Sequence, residues 1–348
     1  MIDTNTNNKK ALIAMSGGVD SSVAAYVMKA AGYECVGCTM VLNDNSCATE
    51  DSVRDAKAVC ERLSIPHYVV DYSEYFKEKV IGNFIDCYEC GRTPNPCIEC
   101  NRYLKFEKLL EKAFELGCEY VVTGHYAVVK DGLLMRASDK NKDQSYFLYK
   151  LTSEQLKHVK FPLAELTKDE TRKIAESQGF VNAHKRDSQD ICFIPNGKYV
   201  EYIETHSNKE YPEGDFISVD GTVLGKHKGI IRYTVGQRKG LGIALNEPMY
   251  VKEVNVDNNT VMLARDNELF SSELIADNIN LTAVDKIEDW TNVTAKIRYR
   301  HEPASAKVKQ ISDNEIQVIF DEPQRAITRG QSVVLYDGDL VIGGGVIK

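Results

Sequence analysis

Short apolar runs alternate with amphipathic stretches through the first half of the chain. Ala11–Met15 is such a run; a glycine turn follows, and Ser21–Ala31 then carries apolar residues at helical spacing. Cys35–Met40 predicts a second strand, Thr49–Leu63 a capped amphipathic helix and His67–Val70 a third strand. Ser73–Tyr88 and Asn101–Leu116 have the helical period, the latter closed by Gly117, and Tyr120–Thr123 is again short and apolar. Strands separated by helices predict a parallel sheet covered on both faces.

After about residue 205 the helical period gives way to short β-prone segments. Asn208–Asp215 is polar, contains Pro212 and Gly214, and predicts a linker. Asp220-Gly221, Asp257-Asn258-Asn259 and Asp337-Gly338 are turn signals, and Val293–Tyr299, Glu315–Phe320 and Ser332–Tyr336 predict strands of a terminal antiparallel barrel or sandwich. The fold class read from this pattern is α/β. A parallel-sheet domain over residues 1–207 precedes two smaller β-rich domains, 208–275 and 276–348, the last expected to be a β-barrel.

Composition narrows the classes. The 348 residues suit two or three domains at ~150 residues each. With 43% hydrophobic and 27% charged residues, neither disorder nor a fibrous repeat fits. No apolar run approaches the ~18 residues of a membrane span, and Met1–Lys10 is polar, so a cytoplasmic protein is expected. Ten cysteines in a chain of this kind predict thiol chemistry or metal binding rather than a disulfide framework. The net charge of −8 does not advertise nucleic-acid binding, but charge is unevenly placed. Lys296, Arg298, Arg300, Lys307 and Lys309 stand against Glu302 alone, with Tyr299 and His301 interleaved, which reads as a solvated strand face or a phosphate-contacting one.

The chemistry concentrates in three segments. Ala14-Met15-Ser16-Gly17-Gly18-Val19-Asp20-Ser21-Ser22 joins the first predicted strand to the first predicted helix. Glycines let the main chain approach an anion, and the helix N-terminus offers N–H groups and the positive end of its dipole. A Walker A loop would carry a lysine here, and none is present, so a phosphate site of another kind is predicted. In Gly91-Arg92-Thr93-Pro94-Asn95-Pro96-Cys97-Ile98-Glu99-Cys100-Asn101-Arg102, two prolines deliver two cysteines to the start of a helix, where the dipole should favour a thiolate. Asp187-Ser188-Gln189-Asp190-Ile191-Cys192-Phe193 sets a further cysteine in a polar segment. Cys35, Cys38, Cys60 and Cys118 fall in predicted strands and helices and read as core.

The first segment resembles the Ser-Gly-Gly-x-Asp-Ser signature of PP-loop ATP pyrophosphatases, which implies cleavage of ATP between its α and β phosphates and adenylation of a substrate oxygen. Thr93–Asn101 resembles the Thr-Pro-Asn-Pro-x-x-x-Cys-Asn signature of the tRNA-specific 2-thiouridylases. Thr123-Gly124-His125-Tyr126, Lys142-Asp143-Gln144-Ser145-Tyr146, Tyr233–Gly242 and Gly343-Gly344-Gly345 agree in the expected order. The resemblance implies ATP-dependent replacement of an oxygen of the wobble uridine by sulfur, with Mg2+, and a cysteine desulfurase or sulfur-relay protein as donor.

By matching positions, Cys192 resembles the family's persulfide carrier and Cys100 its nucleophilic partner. Ala14, Met15, Ser16, Gly17, Gly18, Val19, Asp20, Ser21, Met40 and Gly124 resemble its ATP contacts. Asn95, Pro96 and Cys97 correspond to the target-base contact; His125, Lys142, Asp143, Gln144, Arg298, Tyr299 and Gln331 correspond to tRNA contacts near the anticodon.

Cys97 stands where the family has aspartate, creating Cys97-x-x-Cys100 beside Cys87-x-x-Cys90. On spacing alone the two pairs suggest zinc, while Cys97, Cys100 and Cys192 could together hold an iron–sulfur cluster. A redox-paired set of thiols explains the same residues. Rival readings are another PP-loop ligase or amidating enzyme, and a non-catalytic tRNA-binding or iron–sulfur scaffold.

Overall fold

The computed structural model describes residues 9–42, 50–185 and 191–348. Thr49, Asp187–Asp190 and most of Met1–Lys10 lie outside the described residues. The chain divides into two compact units, the first made of residues 1–80, 97–197 and 339–341, the second of 81–96, 198–338 and 342–348.

In the first unit the alternation of strand and helix gives the expected parallel sheet. Its strands are β1 (Lys10–Ala14), β2 (Glu34–Val41), β3 (His67–Asp71) and β4 (Tyr120–Val122). After a hairpin of β5 (Ala127–Lys130) and β6 (Leu133–Arg136) comes β7 (Val159–Lys160). The order is β3-β2-β1-β4-β7, all parallel. The chain runs outward from β1 to β2 and β3, then returns to lay β4 on the other side of β1. That reversal opens a crevice at the carboxyl ends of β1 and β4, where ligands of such sheets bind.

The helices follow from their apolar stripes. α1 (Val19–Ala30) buries Val19, Val23, Ala24 and Met28, and α2 (Glu50–Arg62) buries Ser52, Ala56, Val59 and Cys60. With Ile13 and Val122, all of these but Ser52 form the core between sheet and helices.

Two predicted helices are built differently. The one expected at Asn101–Leu116 begins at Pro96: an α-helical turn over Pro96–Glu99 leads into a π-helical stretch, Cys100–Lys108, then an α-helix, Leu109–Glu115. Proline is at home at a first helical position because its missing N–H would have no partner there. The one expected at Ser73–Tyr88 is α-helical at Ser73–Phe76, π-helical at Lys77–Gly82 and α-helical at Asn83–Glu89, and its last part belongs to the second unit. There Tyr88 stacks on Tyr199 at 4.9 Å, and Glu89 accepts from Ser207, Lys209 and Tyr211 at 2.5–2.6 Å.

The second unit is otherwise β-rich. β8 (Gly214–Ile217), β9 (Val223–His227), β10 (Tyr250–Asn255) and β11 (Thr260–Ala264) form a sheet of order β10-β11-β8-β9, so the expected linker runs into β8. β12 (Phe270–Leu281), β13 (Thr291–Lys296), β14 (Ala304–Ser312), β15 (Glu315–Arg325), β16 (Ser332–Asp337) and β17 (Leu340–Ile347) make the expected barrel. Pairing of β12 with both β15 and β17 closes it. Val308, Val318 and Leu335 are fully buried in its core. Among the described residues no helix is long and apolar enough to cross a membrane.

Leu335→Ala should destabilise the protein by about 2–5 kcal/mol, since the closed barrel cannot collapse onto the lost side chain. Lys307→Ala, at an exposed position of β14, should stay within ~0.5 kcal/mol. Urea unfolding of both variants checks this; equal effects would refute the assignment of the barrel core.

Candidate nucleotide and sulfur-transfer residues

The Met15–Gly18 loop leaves β1 and enters α1 at the sheet's reversal point. The Met15 amide donates to Cys38 O at 2.8 Å and Thr39 Oγ1 donates to Met15 O at 2.8 Å, tying the loop's root to β2. Gly17 has φ +71°, and a side chain there would lie 2.3 Å from Ser52 O of α2, so only glycine fits. Ser21 and Ser22 hydroxyls both donate to Gly18 O, at 3.0 and 2.9 Å, and the Ser16 amide donates to Ser21 Oγ at 3.3 Å. The loop is thereby rigidly folded on itself. The first-turn N–H groups of α1 have no intrahelical acceptor and lie at the positive end of its dipole. Ala14 and Met40 occupy the carboxyl ends of β1 and β2, both half-buried.

Gly124 follows β4. A Cβ there would stand 2.7–2.9 Å from Asp20 C, Asp20 Cβ and Ser21 N, so the two main chains touch. This contact brings Tyr126 within 3.0 Å of Asp20 Oδ1, to which its hydroxyl donates. Lys168 Nζ reaches both Asp20 oxygens, at 2.7 and 2.8 Å, from the first turn of helix Lys168–Ser177, which a Thr167/Glu170 capping box fixes.

His125 is buried beside Phe106 and Phe161. Its Nδ1 lies 2.7 Å from Thr123 Oγ1 and its Nε2 3.5 Å from Lys105 Nζ. Burial, reinforced by Lys105, holds its pKa well below the ordinary histidine value. Asp143 is also buried. Its carboxylate accepts from the Ala137 and Ser145 amides and the Ser145 hydroxyl and pairs with Arg136, so it is spent within its own segment. Gln144 exchanges hydrogen bonds with the Tyr126 main chain, while Lys142 is half-buried.

Cys97 is exposed in the first turn of the helix that begins at Pro96; Cys100 opens its π-helical stretch and is half-buried. The adjacent Glu99 pairs with Lys150 at 2.5 Å in a largely buried contact. Three side chains take up main-chain carbonyls around and within the stretch: Asn101 Nδ2 donates to Phe147 O, Gln155 Nε2 to Phe106 O and Tyr72 Oη to Lys108 O. Cys192 is half-buried and followed by Phe193, which packs edge-on against Phe76 at 5.5 Å. Among the described residues no three His, Cys, Asp or Glu side chains converge to hold a metal ion. Cys35, Cys38, Cys60 and Cys118 are buried as expected; burial pushes the first three thiols up to about 12 and raises the fourth.

In the second unit Gln331 Nε2 donates to Thr93 O at 2.9 Å and Pro94 O at 3.1 Å, and the Thr93 amide donates to Arg329 O. Gln331 thus holds the main chain that presents Asn95 and Pro96. Arg298 donates to Ala326 O and Thr328 Oγ1, shaping the turn before Gln331. Lys296 is buried with its ammonium 5.7 Å from the Tyr299 ring, whereas Arg300 and Lys307 are exposed. The basic stretch is a structural group and a solvent-facing group interleaved.

Sequence reasoning missed Lys168, Asn182 and Lys185 at the loop. Asn182 Nδ2 donates to Gly17 O at 3.0 Å and Ser22 Oγ at 2.9 Å; Lys185 Nζ lies 3.3 Å from Gly17 O. The Thr167-x-x-Glu170 box could have located Lys168 at a helix start, but no local pattern marks the other two.

A family model described as "tRNA methyl transferase HUP domain" matches residues 9–196. A "tRNA methyl transferase PRC-barrel domain" matches 200–265 and an "Aminomethyltransferase beta-barrel domain" matches 271–347. The chain is 47% identical to a "tRNA-specific 2-thiouridylase MnmA" of Clostridioides difficile, covering 98% of both chains. It is 47% identical to one of Acetivibrio thermocellus, over 98% of this chain and 100% of that one, and 48% identical to one of Clostridium perfringens, over 98% of each.

Because folded His125 refuses the proton that the unfolded chain accepts below pH ~6.5, its burial favours unfolding as pH falls from there. His125→Gln should flatten the decline of stability between pH 6.5 and 5 by up to about 1.4 kcal/mol per pH unit. Denaturation midpoints across that range check it, and an unchanged slope would show that His125 protonates in the folded protein.

Proposed function

The chain belongs to the tRNA-specific 2-thiouridylase family, and from that premise we propose how its residues carry out ATP-dependent thiolation of tRNA. The Ser16–Ser22 loop and the N-terminus of α1 hold the ATP phosphates, with Ala14, the Met40 main chain and Gly124 flanking the nucleotide. Asp20, a partly exposed carboxylate at the loop, suits Mg2+, which commonly takes one or two protein carboxylates together with phosphate oxygens. When bound, that ion neutralises phosphate charge. Residues 1–207 carry this chemistry, and the β-rich segments 208–275 and 276–348 help hold tRNA.

The position-2 oxygen of the wobble uridine attacks the α-phosphorus of ATP and pyrophosphate leaves, so that AMP becomes the later leaving group. Cys192, loaded as a persulfide by a cysteine desulfurase or relay protein, attacks the activated carbon with its terminal sulfur. A C–S bond forms and the C–O bond to AMP breaks. The Cys100 thiolate then attacks Cys192 Sγ, the S–S bond to the transferred sulfur breaks, and 2-thiouridine leaves with a Cys100–Cys192 disulfide behind it. An external thiol reductant supplies two electrons to restore both thiols. This scheme needs no cluster, because two thiols suffice to carry and release one sulfur.

Asn95, Pro96 and Cys97 face the target base. Gln331 acts by holding Thr93 and Pro94, His125 by packing the loop after β4, and Arg298 by shaping the Ala326–Thr328 turn. Lys142 and the main chain of Asp143 and Gln144, with Tyr299, contact tRNA. The observation that most supports the reading is that Ser16–Ser22, Cys100 and Cys192 belong to one compact unit of a chain matched end to end by 2-thiouridylases.

Cys100→Ser and Cys192→Ser should each lower thiolation by about a thousandfold or more while tRNA-dependent pyrophosphate release continues, because adenylation precedes sulfur transfer. Cys97→Ser should keep most activity. A dead Cys97→Ser enzyme together with strict iron dependence would overturn the persulfide scheme. Arg300→Ala should flatten the dependence of log tRNA affinity on log salt by about one unit, measured by filter binding. An unchanged slope would remove Arg300 from the tRNA surface.

A further inference from the structure

The Ser16–Ser22 loop contains no cation, yet a triphosphate brings several negative charges to it. Two lysines from the later chain reach this loop, and their surroundings differ. Lys168 is largely buried, with its ammonium bound to both oxygens of Asp20. Its charge is committed to orienting that carboxylate.

Lys185 is placed otherwise. The segment before it is a tight turn: the Ala183 amide donates to Phe180 O and the Lys185 amide to Asn182 O. Asn182, only 3% exposed, spends its Nδ2 on Gly17 O and Ser22 Oγ, one on each side of the loop's bend. The turn is therefore fastened to the loop and its first helical turn. From this anchor the Lys185 ammonium lies 3.3 Å from Gly17 O and 3.1 Å from Asp55 Oδ2, with its side chain 40% exposed. An exposed lysine–carboxylate pair is a weak tie, and a polyphosphate outcompetes a single carboxylate for an ammonium.

We propose that Lys185 is a phosphate-binding residue of the ATP site, supplying from a distant part of the chain the cation that the loop lacks, with Asn182 as the residue that positions it. On nucleotide binding the ammonium leaves Asp55 for the oxygens of the pyrophosphate half of ATP. The ligand chemistry is inorganic pyrophosphate, whether still part of ATP or released as product. The inference rests on the reading that Ser16–Ser22 binds ATP.

Steady-state kinetics on the full-length enzyme test it, with ATP varied at saturating tRNA. Lys185→Met should raise the KM for ATP about tenfold or more and weaken inhibition by pyrophosphate to a similar degree. Inhibition by AMP, tRNA affinity and the melting temperature should be unchanged. Lys185→Arg should recover most of the loss. Asp55→Asn, which breaks the same ion pair but spares the ammonium, should leave the KM for ATP unchanged or lower it. Should Lys185→Met fold poorly, the contrast between Lys185→Arg and Asp55→Asn still decides. If Asp55→Asn raises the KM as Lys185→Met does, or if pyrophosphate inhibition is untouched, Lys185 is only half of a structural ion pair and the proposal fails. Ser21→Ala separates the two levels: a normal KM for ATP in that variant would overturn the loop reading itself, whereas a raised one beside a normal Lys185→Met would overturn only the lysine.

Discussion

One main-chain contact, too close for any side chain, organises the end of the sheet where its strand order reverses: Gly124 against Asp20 and Ser21. The two segments follow adjacent strands, β1 and β4, at the place where the sheet's order reverses, and the distance between them sets what else can arrive. With Gly124 against the first turn of α1, Tyr126 meets Asp20, His125 drops between Phe106 and Phe161, and Lys168 closes over the same carboxylate. A methyl group at position 124 would push the exit of β4 away from α1 and disturb all of these contacts through a single displacement. The loop's chemistry thus rests on packing as much as on its hydrogen-bond donors.

The helix carrying Cys97 and Cys100 shows a different use of the backbone. A π-helical stretch gives poorer packing around its axis than an α-helix and persists where the surroundings favour it. Here Gln155 and Tyr72 take up carbonyls of Phe106 and Lys108, and Asn101 binds Phe147 O, so tertiary contacts hold the widened backbone. Immediately before it, the buried Glu99–Lys150 pair fixes the turn from which Cys100 emerges. The cysteine is set on a stretch of main chain held from several sides.

Much of this was legible in the sequence. The alternation of apolar runs and amphipathic stretches located β1, β2, α1 and α2 closely, because a buried parallel strand and a one-sided helix leave distinct periods. Gly17 and Gly18 beside Ser21 and Ser22 marked the loop. The Pro96 boundary was not legible, since a proline between two polar residues reads equally as loop and as helix start. Neither were the π-helical stretches, which no local period announces. Gln331, Arg298 and Asp143 could be matched to a family pattern, but their surroundings could not be foreseen: each binds main-chain groups of the protein itself, distant in sequence for Gln331 and Arg298 and local for Asp143. Asn182 escaped for the same reason, its two acceptors lying some 160 residues earlier.

The buried cysteines have a consequence for sulfur traffic. A chain that passes a reactive sulfur atom between thiols carries bystanders able to intercept it. Cys35, Cys38 and Cys60, desolvated in the sheet and helix core, have thiols pushed up to about 12. At neutral pH such a group is held almost wholly as the thiol, and only the thiolate exchanges. The same dry core that stabilises the sheet insulates these residues electrically from the exchange. Stray sulfur is kept out of them by a protonation equilibrium as well as by a wall of side chains, and a leak would require the core to open to water first.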